Sequence, residues 1–238
     1  MTTADGVPIS AARLRGPADA AAVVVLVHGF LNSSRSPVVH NFARLLAAGG
    51  VHVVAPDLRG HGRSGGRVTL GALEPLDVAA AVDFAHASWP ELPVVTVGAS
   101  LGGIAVLRHA GLIGGVAGAV SISAPAYYDP ATRNGARRLT RFIESRAGRQ
   151  VAARLLRTRV GVLPPVDDMA SAVAAIAPAF TVIVHDPDEE YFGEEHARAI
   201  YDAARDPKEL WLLPGGGHGG DLLTADLAAR VLAAVASP

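Results

Sequence analysis

With 238 residues, 50% of them apolar and 18% charged, the chain can bury one large core and is too hydrophobic to be disordered. Its formal charge of -1, from 21 Lys+Arg against 22 Asp+Glu, gives no overall attraction to nucleic acid or to an anionic membrane. The absence of cysteine excludes disulfides, thiolate metal sites and a cysteine nucleophile together.

The opening MTTADGVPIS lacks a cationic segment followed by an apolar one, and no stretch reaches the roughly 18 apolar residues of a membrane span. A cytoplasmic protein without stable membrane insertion is therefore expected. DGVPISAARLRGP (5–17) is expected to form an antiparallel sheet edge. AAAVVVLVHG (20–29), VHVVAPD (51–57), LPVVTVG (92–98), VAGAVSISAP (116–125), FTVIVHD (180–186) and ELWLLPG (209–215) are short Val-rich runs without clean alternation. That pattern suits strands covered on both faces. Helix-like segments separate them at 36–50, 69–89, 101–115 and 194–206, and a last one covers 224–237. The alternation predicts an α/β fold with a doubly wound, mostly parallel sheet.

One stretch breaks the rhythm. From Tyr127 to Pro178 no strand-like run appears, only the amphipathic ARRLTRFIESRAGRQVAARLLRTR and then DDMASAVAAIA, separated by VGVLPP. Some fifty residues are too many for a plain connection. A small helical lid, 127–178, is therefore expected as an insertion before the penultimate strand, within a core made of 1–126 and 179–238. Leu139, Phe142, Ile143, Val151, Leu155 and Leu156 are expected to form its buried stripe.

The chemistry-bearing signal is TVGASLGG (96–103), where Gly98, Ser100 and Gly102 fit the G-x-S-x-G pattern of a nucleophile elbow between a strand and a helix. The serine sits on a strained turn above the strand ends, and its flanking positions must be small because strand and helix cross closely there. Near neutral pH a serine hydroxyl needs a base, usually a histidine oriented by a carboxylate. LWLLPGGGHGG places His218 in a glycine-rich loop after the final strand. HDPDEEYFGEEHA supplies the acid, Glu189 or Asp188, while Asp186 is too close to the strand end and could instead close its own turn. Oxyanion donors are expected from the backbone N–H groups of Phe30, in the HGF turn, and Leu101, at the start of the helix after the elbow. His28 is expected to brace the HGF turn.

Together HGF (28–30), DLRGHGRSGG (57–66), GASLGG and GGGHGG resemble the α/β-hydrolase family in its compact, lidded bacterial form, over nearly the whole chain. The resemblance implies Ser100 as nucleophile and His218 as base. It also implies a structural role for Asp57, Gly60, His61, Gly62 and Ser64. The family's H-G-x-x-D pattern after the penultimate strand, counted from His185, lands on Glu189 instead of an aspartate. Ser64 to Ala110 looks similar to bacterial hydrolases akin to monoacylglycerol lipases and small carboxylesterases.

The expected activity is hydrolysis of small-molecule carboxylic esters through an acyl-enzyme, with no metal and no organic cofactor. Between Arg133 and Arg159 lie nine arginines and one acid, Glu144. They form either a solvated helix face or a surface for an anionic partner, which motivates a thioesterase alternative acting on acyl-CoA or on an acidic carrier protein. A non-catalytic, small-molecule-binding member of the fold is a further alternative. No aromatic platform accompanies the arginines, so no nucleic-acid role is expected.

Overall fold

A computed structural model describes residues 1–127, 133–161 and 169–236. Seven strands form one sheet: β1 (Ala11–Leu14), β2 (Ala22–Val27), β3 (Val51–Pro56), β4 (Val94–Ala99), β5 (Gly118–Ile122), β6 (Phe180–His185) and β7 (Lys208–Leu212). Their order is β1-β3-β2-β4-β5-β6-β7, and only the β1–β3 pair is antiparallel. The expected antiparallel edge and parallel sheet are both present.

Residues β2 to β5 are buried along their whole length, which explains why their sequences are apolar runs without alternation. The alternation is hidden in which face each valine meets. Val24 and Leu26 pack with Phe42 and Leu46 of α1 (Pro37–Ala48) and Leu227 and Val231 of α8 (Ala225–Ala236). Val23, Val25 and Val27 pack on the other face, with Val78 and Val82 of α2 (Glu74–Ser88) and Ala105 and Val106 of α3 (Leu101–Leu112).

Helix α2 begins at Glu74 and not at Thr69. The buried Glu74 carboxylate folds back to accept the Thr69 N–H at 2.7 Å, the Thr69 hydroxyl at 2.6 Å and the Gly71 N–H at 2.7 Å, which fixes residues 69–73 as a turn.

The expected insertion contains α4 (Asn134–Glu144), α5 (Arg146–Leu155) and α6 (Met169–Ala174); 128–132 and 162–168, with Asp167, Asp168 and most of VGVLPP, lie outside the described residues. Helix α6 differs from expectation. Met169 and Val173 share a core cluster with Leu107 of α3, Ile183 of β6 and Ile200 of α7 (Glu194–Ala203). A Cβ on Gly111 would sit 1.8 Å from the Ala172 carbonyl oxygen, so α3 and α6 touch backbone to backbone. The α4–α5 pair also departs from the sequence reading. Ile143 is buried and Leu139 and Phe142 are half-buried, but Val151, Leu155 and Leu156 are exposed, Leu155 to 75%.

The chain runs outward from β2 to β3 and then returns past β2 to β4. The crevice at this change of direction, above the carboxyl ends of β2 and β4, is where doubly wound sheets hold their sites. Val27 pairs with Gly98 there, which brings the HGF turn beside the elbow.

Candidate active site

Strand β4 ends at Ala99, α3 starts at Leu101, and Ser100 alone makes the turn with φ 53° and ψ −115°. A non-glycine residue in that region is strained and has to be held by its surroundings. The flanking glycines show what holds it. A Cβ on Gly98 would lie 2.2 Å from the Gly102 oxygen, and one on Gly102 would lie 2.3 Å from the Val27 oxygen. Strand and helix therefore cross at a distance that only hydrogen side chains permit.

The backbone N–H of Leu101 opens α3, where the helix dipole is positive. Neither it nor the N–H of Phe30 donates to a protein acceptor among the described residues. The turn carrying Phe30 is braced from below by two buried histidines. His28 Nδ1 faces the Gly29 oxygen at 2.8 Å, and its Nε2 accepts the Leu58 N–H at 3.0 Å. His61 Nε2 accepts the Leu31 N–H at 3.3 Å. Burial holds both imidazoles below their ordinary pKa, and the proximity of His28 depresses His61 further. The neutral form is the one that can accept, so depressed basicity and bracing agree. Asp57 completes this floor, accepting the N–H groups of Ser34 at 2.8 Å and Arg63 at 3.0 Å, while Ser64 donates to the Asp57 carbonyl.

His218 follows β7 in its glycine-rich loop, with Nε2 2.9 Å from Ser100 Oγ. Its loop is fastened from three sides: Gly217 N–H donates to Asp186 Oδ2 at 2.7 Å, Gly219 N–H to Ser123 Oγ at 3.0 Å, and His218 N–H to Asp221 Oδ2 at 3.2 Å. On the far side, His218 Nδ1 lies 3.1 Å from Glu189 Oε1. The approach is close but bent, so the pair is an electrostatic contact without a well-directed hydrogen bond. The Glu189 carboxylate is buried and accepts the N–H groups of Tyr191 at 2.5 Å and Phe192 at 2.8 Å. Asp188, next to it in sequence, is exposed and directs only its backbone N–H inward, to Asp186 Oδ1 at 2.9 Å. Asp186 thus closes its own turn and ties the acid loop to the histidine loop; burial pushes its carboxyl up, but the N–H groups it accepts outweigh this and hold it below the usual range.

The structure brings together Ser100, His218 and Glu189, with the N–H groups of Phe30 and Leu101 free beside them, and leaves Asp188 outside. Sequence reasoning missed the wall around the imidazole. The rings of Tyr191 and Phe192 stand 4.4 and 5.7 Å from that of His218. It also missed Arg133, whose guanidinium donates to the carbonyl oxygens of Glu189 and Pro187. The aromatic pair directly after EE was a usable signal; Arg133 lies more than fifty residues upstream and offered none. Among the described residues no cluster of His, Asp and Glu could hold a metal ion, and no helix is long and apolar enough to cross a membrane.

The family model of serine aminopeptidase, S33 (Hydrolase_4) matches residues 18–160, more than half of the chain. A protein described as monoacylglycerol lipase, from Mycolicibacterium smegmatis, is 38% identical over 111 residues, which cover 45% of this chain. That match spans only 39% of the relative's own length. Among solved structures, the Pyrococcus furiosus esterase Pf2001 superposes with a TM-score of 0.75 at 21% identity, covering 98% of this chain and 88% of that one. The esterase RhEst1 from Rhodococcus sp. ECU1013 gives a TM-score of 0.75 at 18% identity, covering 99% and 97%. At such identities the two structures speak for the fold: it is the α/β-hydrolase fold.

Proposed function

The chain belongs to the Hydrolase_4 (serine aminopeptidase, S33) family of α/β-hydrolases, and from that premise we propose that it hydrolyses carboxylic esters of small molecules through an acyl-enzyme. The observation that carries this reading is the line of contacts from Ser100 Oγ to His218 Nε2 at 2.9 Å and from His218 Nδ1 to Glu189 Oε1 at 3.1 Å.

Ser100 attacks the ester carbonyl while His218 takes its proton, and the resulting imidazolium is stabilised by the buried Glu189 carboxylate. The negative charge that develops on the carbonyl oxygen is met by the N–H groups of Phe30 and Leu101, which are fixed before the reaction starts. His218 then protonates the leaving alcohol. A water molecule repeats the sequence on the acyl-enzyme, and the serine is restored. The same constellation can open amides; the ester reading leans on the relative described as a monoacylglycerol lipase and on the esterase neighbours.

Purified protein should hydrolyse p-nitrophenyl butyrate and be labelled by a fluorophosphonate probe, with both properties lost in Ser100→Ala. Faster turnover of amino-acid p-nitroanilides than of any ester would sink the ester reading while leaving the nucleophile in place. The exposed arginines of α4 and α5 motivate one second reading, a thioesterase, which none of the relatives named above supports. Butyryl-CoA turned over faster than the matched ester, with the advantage vanishing at high salt, would move the assignment there.

A further inference from the structure

Away from Ser100, one cavity is lined by more positive charge than negative among the described residues. It measures about 260 Å³, and three segments bring an arginine to it: Arg35 from the loop after β2, Arg63 from the loop after β3 and Arg157 from the chain just past α5. Among the described residues none of the three guanidiniums has a carboxylate or a hydrogen-bond acceptor. Asp57 also lines the cavity, but both its oxygens already accept backbone N–H groups, from Ser34 and Arg63, so three positive charges face one occupied negative one. Ser33 and Ser36 add hydroxyl groups whose oxygens accept local N–H bonds, which leaves their protons to donate.

Two further features mark the place as built. Leu31 and Arg157, which both line it, have positive φ, 63° and 49°. Non-glycine residues are rarely held in that region, and when they are they cluster at ligand clamps. The cavity is also smaller than the roughly 300 Å³ at which sites for whole ligands begin, so it suits one group of a larger molecule. Its wall at Leu31 is the residue directly after Phe30, so the loop that presents the oxyanion N–H also lines the cavity.

We propose that this cavity recognises an anionic group, a phosphate or a carboxylate, carried by the substrate whose carbonyl meets Ser100. The proposal rests on the ester or thioester hydrolase reading above. Three exposed arginines around a cavity with one carboxylate leave a net positive charge, and a multivalent or forked oxyanion relieves its repulsion while matching guanidinium geometry. A neutral ester would leave the repulsion in place, so the cavity should discriminate by charge.

The test uses the full chain and the double variant Arg63→Gln/Arg157→Gln. Inorganic phosphate, against chloride at equal ionic strength, should raise the Tm of the parent and leave that of the variant unmoved. Three substrates then divide the kinetic arms: p-nitrophenyl butyrate is neutral, mono-p-nitrophenyl glutarate carries a carboxylate on the acyl side, and butyryl-CoA carries phosphates on the leaving group. The variant should lose about tenfold in kcat/KM on at least one anionic substrate while butyrate stays within about twofold. The arm that falls identifies the source of the anion. Equal effects on all three substrates, together with no phosphate-dependent rise in Tm, would overturn the proposal. If phosphate stabilises the parent but no substrate is cleaved in a Ser100-dependent way, the hydrolase reading fails and the anion site stands.

Discussion

Arg133, the residue before α4, donates its guanidinium to the carbonyl oxygens of Pro187 and Glu189. The segment that presents the acid to His218 is thus held from outside by the helix pair and from inside by Asp186. Gly135 N–H adds a bond to the Glu190 oxygen at 3.1 Å. Arg133→Met should lower kcat about tenfold with little change in KM, because the loop it frees carries Glu189, whose proposed task is to orient His218. Arg133→Lys should recover only part of this, since one ammonium cannot match a fork spanning two carbonyls. Steady-state kinetics checks the split, and an altered acid limb of the kcat/KM profile would separate positioning from plain destabilisation.

Glu189 and Asp188 are neighbours with opposite surroundings, one buried against His218 and one exposed. Glu189→Gln should cut kcat by about 10²- to 10⁴-fold, the range seen when a triad acid loses its charge in place. Asp188→Asn should stay within about twofold of the parent, as expected for a surface change. Parallel ester assays and circular dichroism spectra decide between them; a larger loss in Asp188→Asn would reverse the assignment.

At the elbow, Gly98→Ala and Gly102→Ala each place a methyl group against backbone, 2.2 and 2.3 Å from a carbonyl oxygen. The first cannot be accommodated without parting β4 from α3, nor the second without parting α3 from the end of β2, so each change should cost more than about 4 kcal/mol or prevent folding. Gly103→Ala meets the Ser121 hydroxyl at 2.8 Å, which can rotate away, and the Ala124 methyl at 3.0 Å, a milder approach than either backbone clash. It should be the mildest of the three in chemical denaturation.

His109 on α3 is buried with no partner for Nδ1, and burial lowers its pKa to about 4 from an ordinary 6.5. In the unfolded chain this histidine takes up a proton near pH 6.5, while in the folded chain it resists until about pH 4. Stability contributed by the neutral form is therefore intact above 6.5 and is lost as pH falls between these values, up to about 3 kcal/mol. The buried His185, also depressed by burial, acts in the same direction. His109→Leu should flatten the slope of denaturation free energy against pH between 4 and 6.5; an unchanged slope would contradict this account.

The parallel strands β2 to β6 were legible because burial on both faces demands apolar residues on both, a requirement that each strand states locally; β7, half-buried, was legible from its apolar end and its place in the alternation. Ser100 and the glycines around it were legible for the same reason, being one turn with one steric condition. The start of α2 was not, since the Glu74 side chain ends the preceding turn through contacts three to five residues back that no hydrophobic period reveals. Helix α6 read as part of an insertion because MASAVAAIA looks like any small apolar helix; its seat against Gly111 is a matter of tertiary approach. Which of Glu189 and Asp188 faces His218 depends on how Asp186 closes its turn, and the reach of Arg133 across 56 positions leaves no trace in composition. On α5, an apolar stripe at helical spacing predicts a buried face, yet Leu155 has nothing laid over it.

The α4–α5 pair is stitched down at both ends: at Arg133 and Gly135 to the acid loop, and at Arg159 and Gly161, whose N–H groups donate to the Gly60 and Val68 oxygens at 2.7 and 2.9 Å. Trypsin would find many exposed arginines between those stitches. A single cut there should yield two fragments on a denaturing gel that still travel as one particle through a sizing column, because each fragment keeps its own tie to the core and the two helices stay packed against each other.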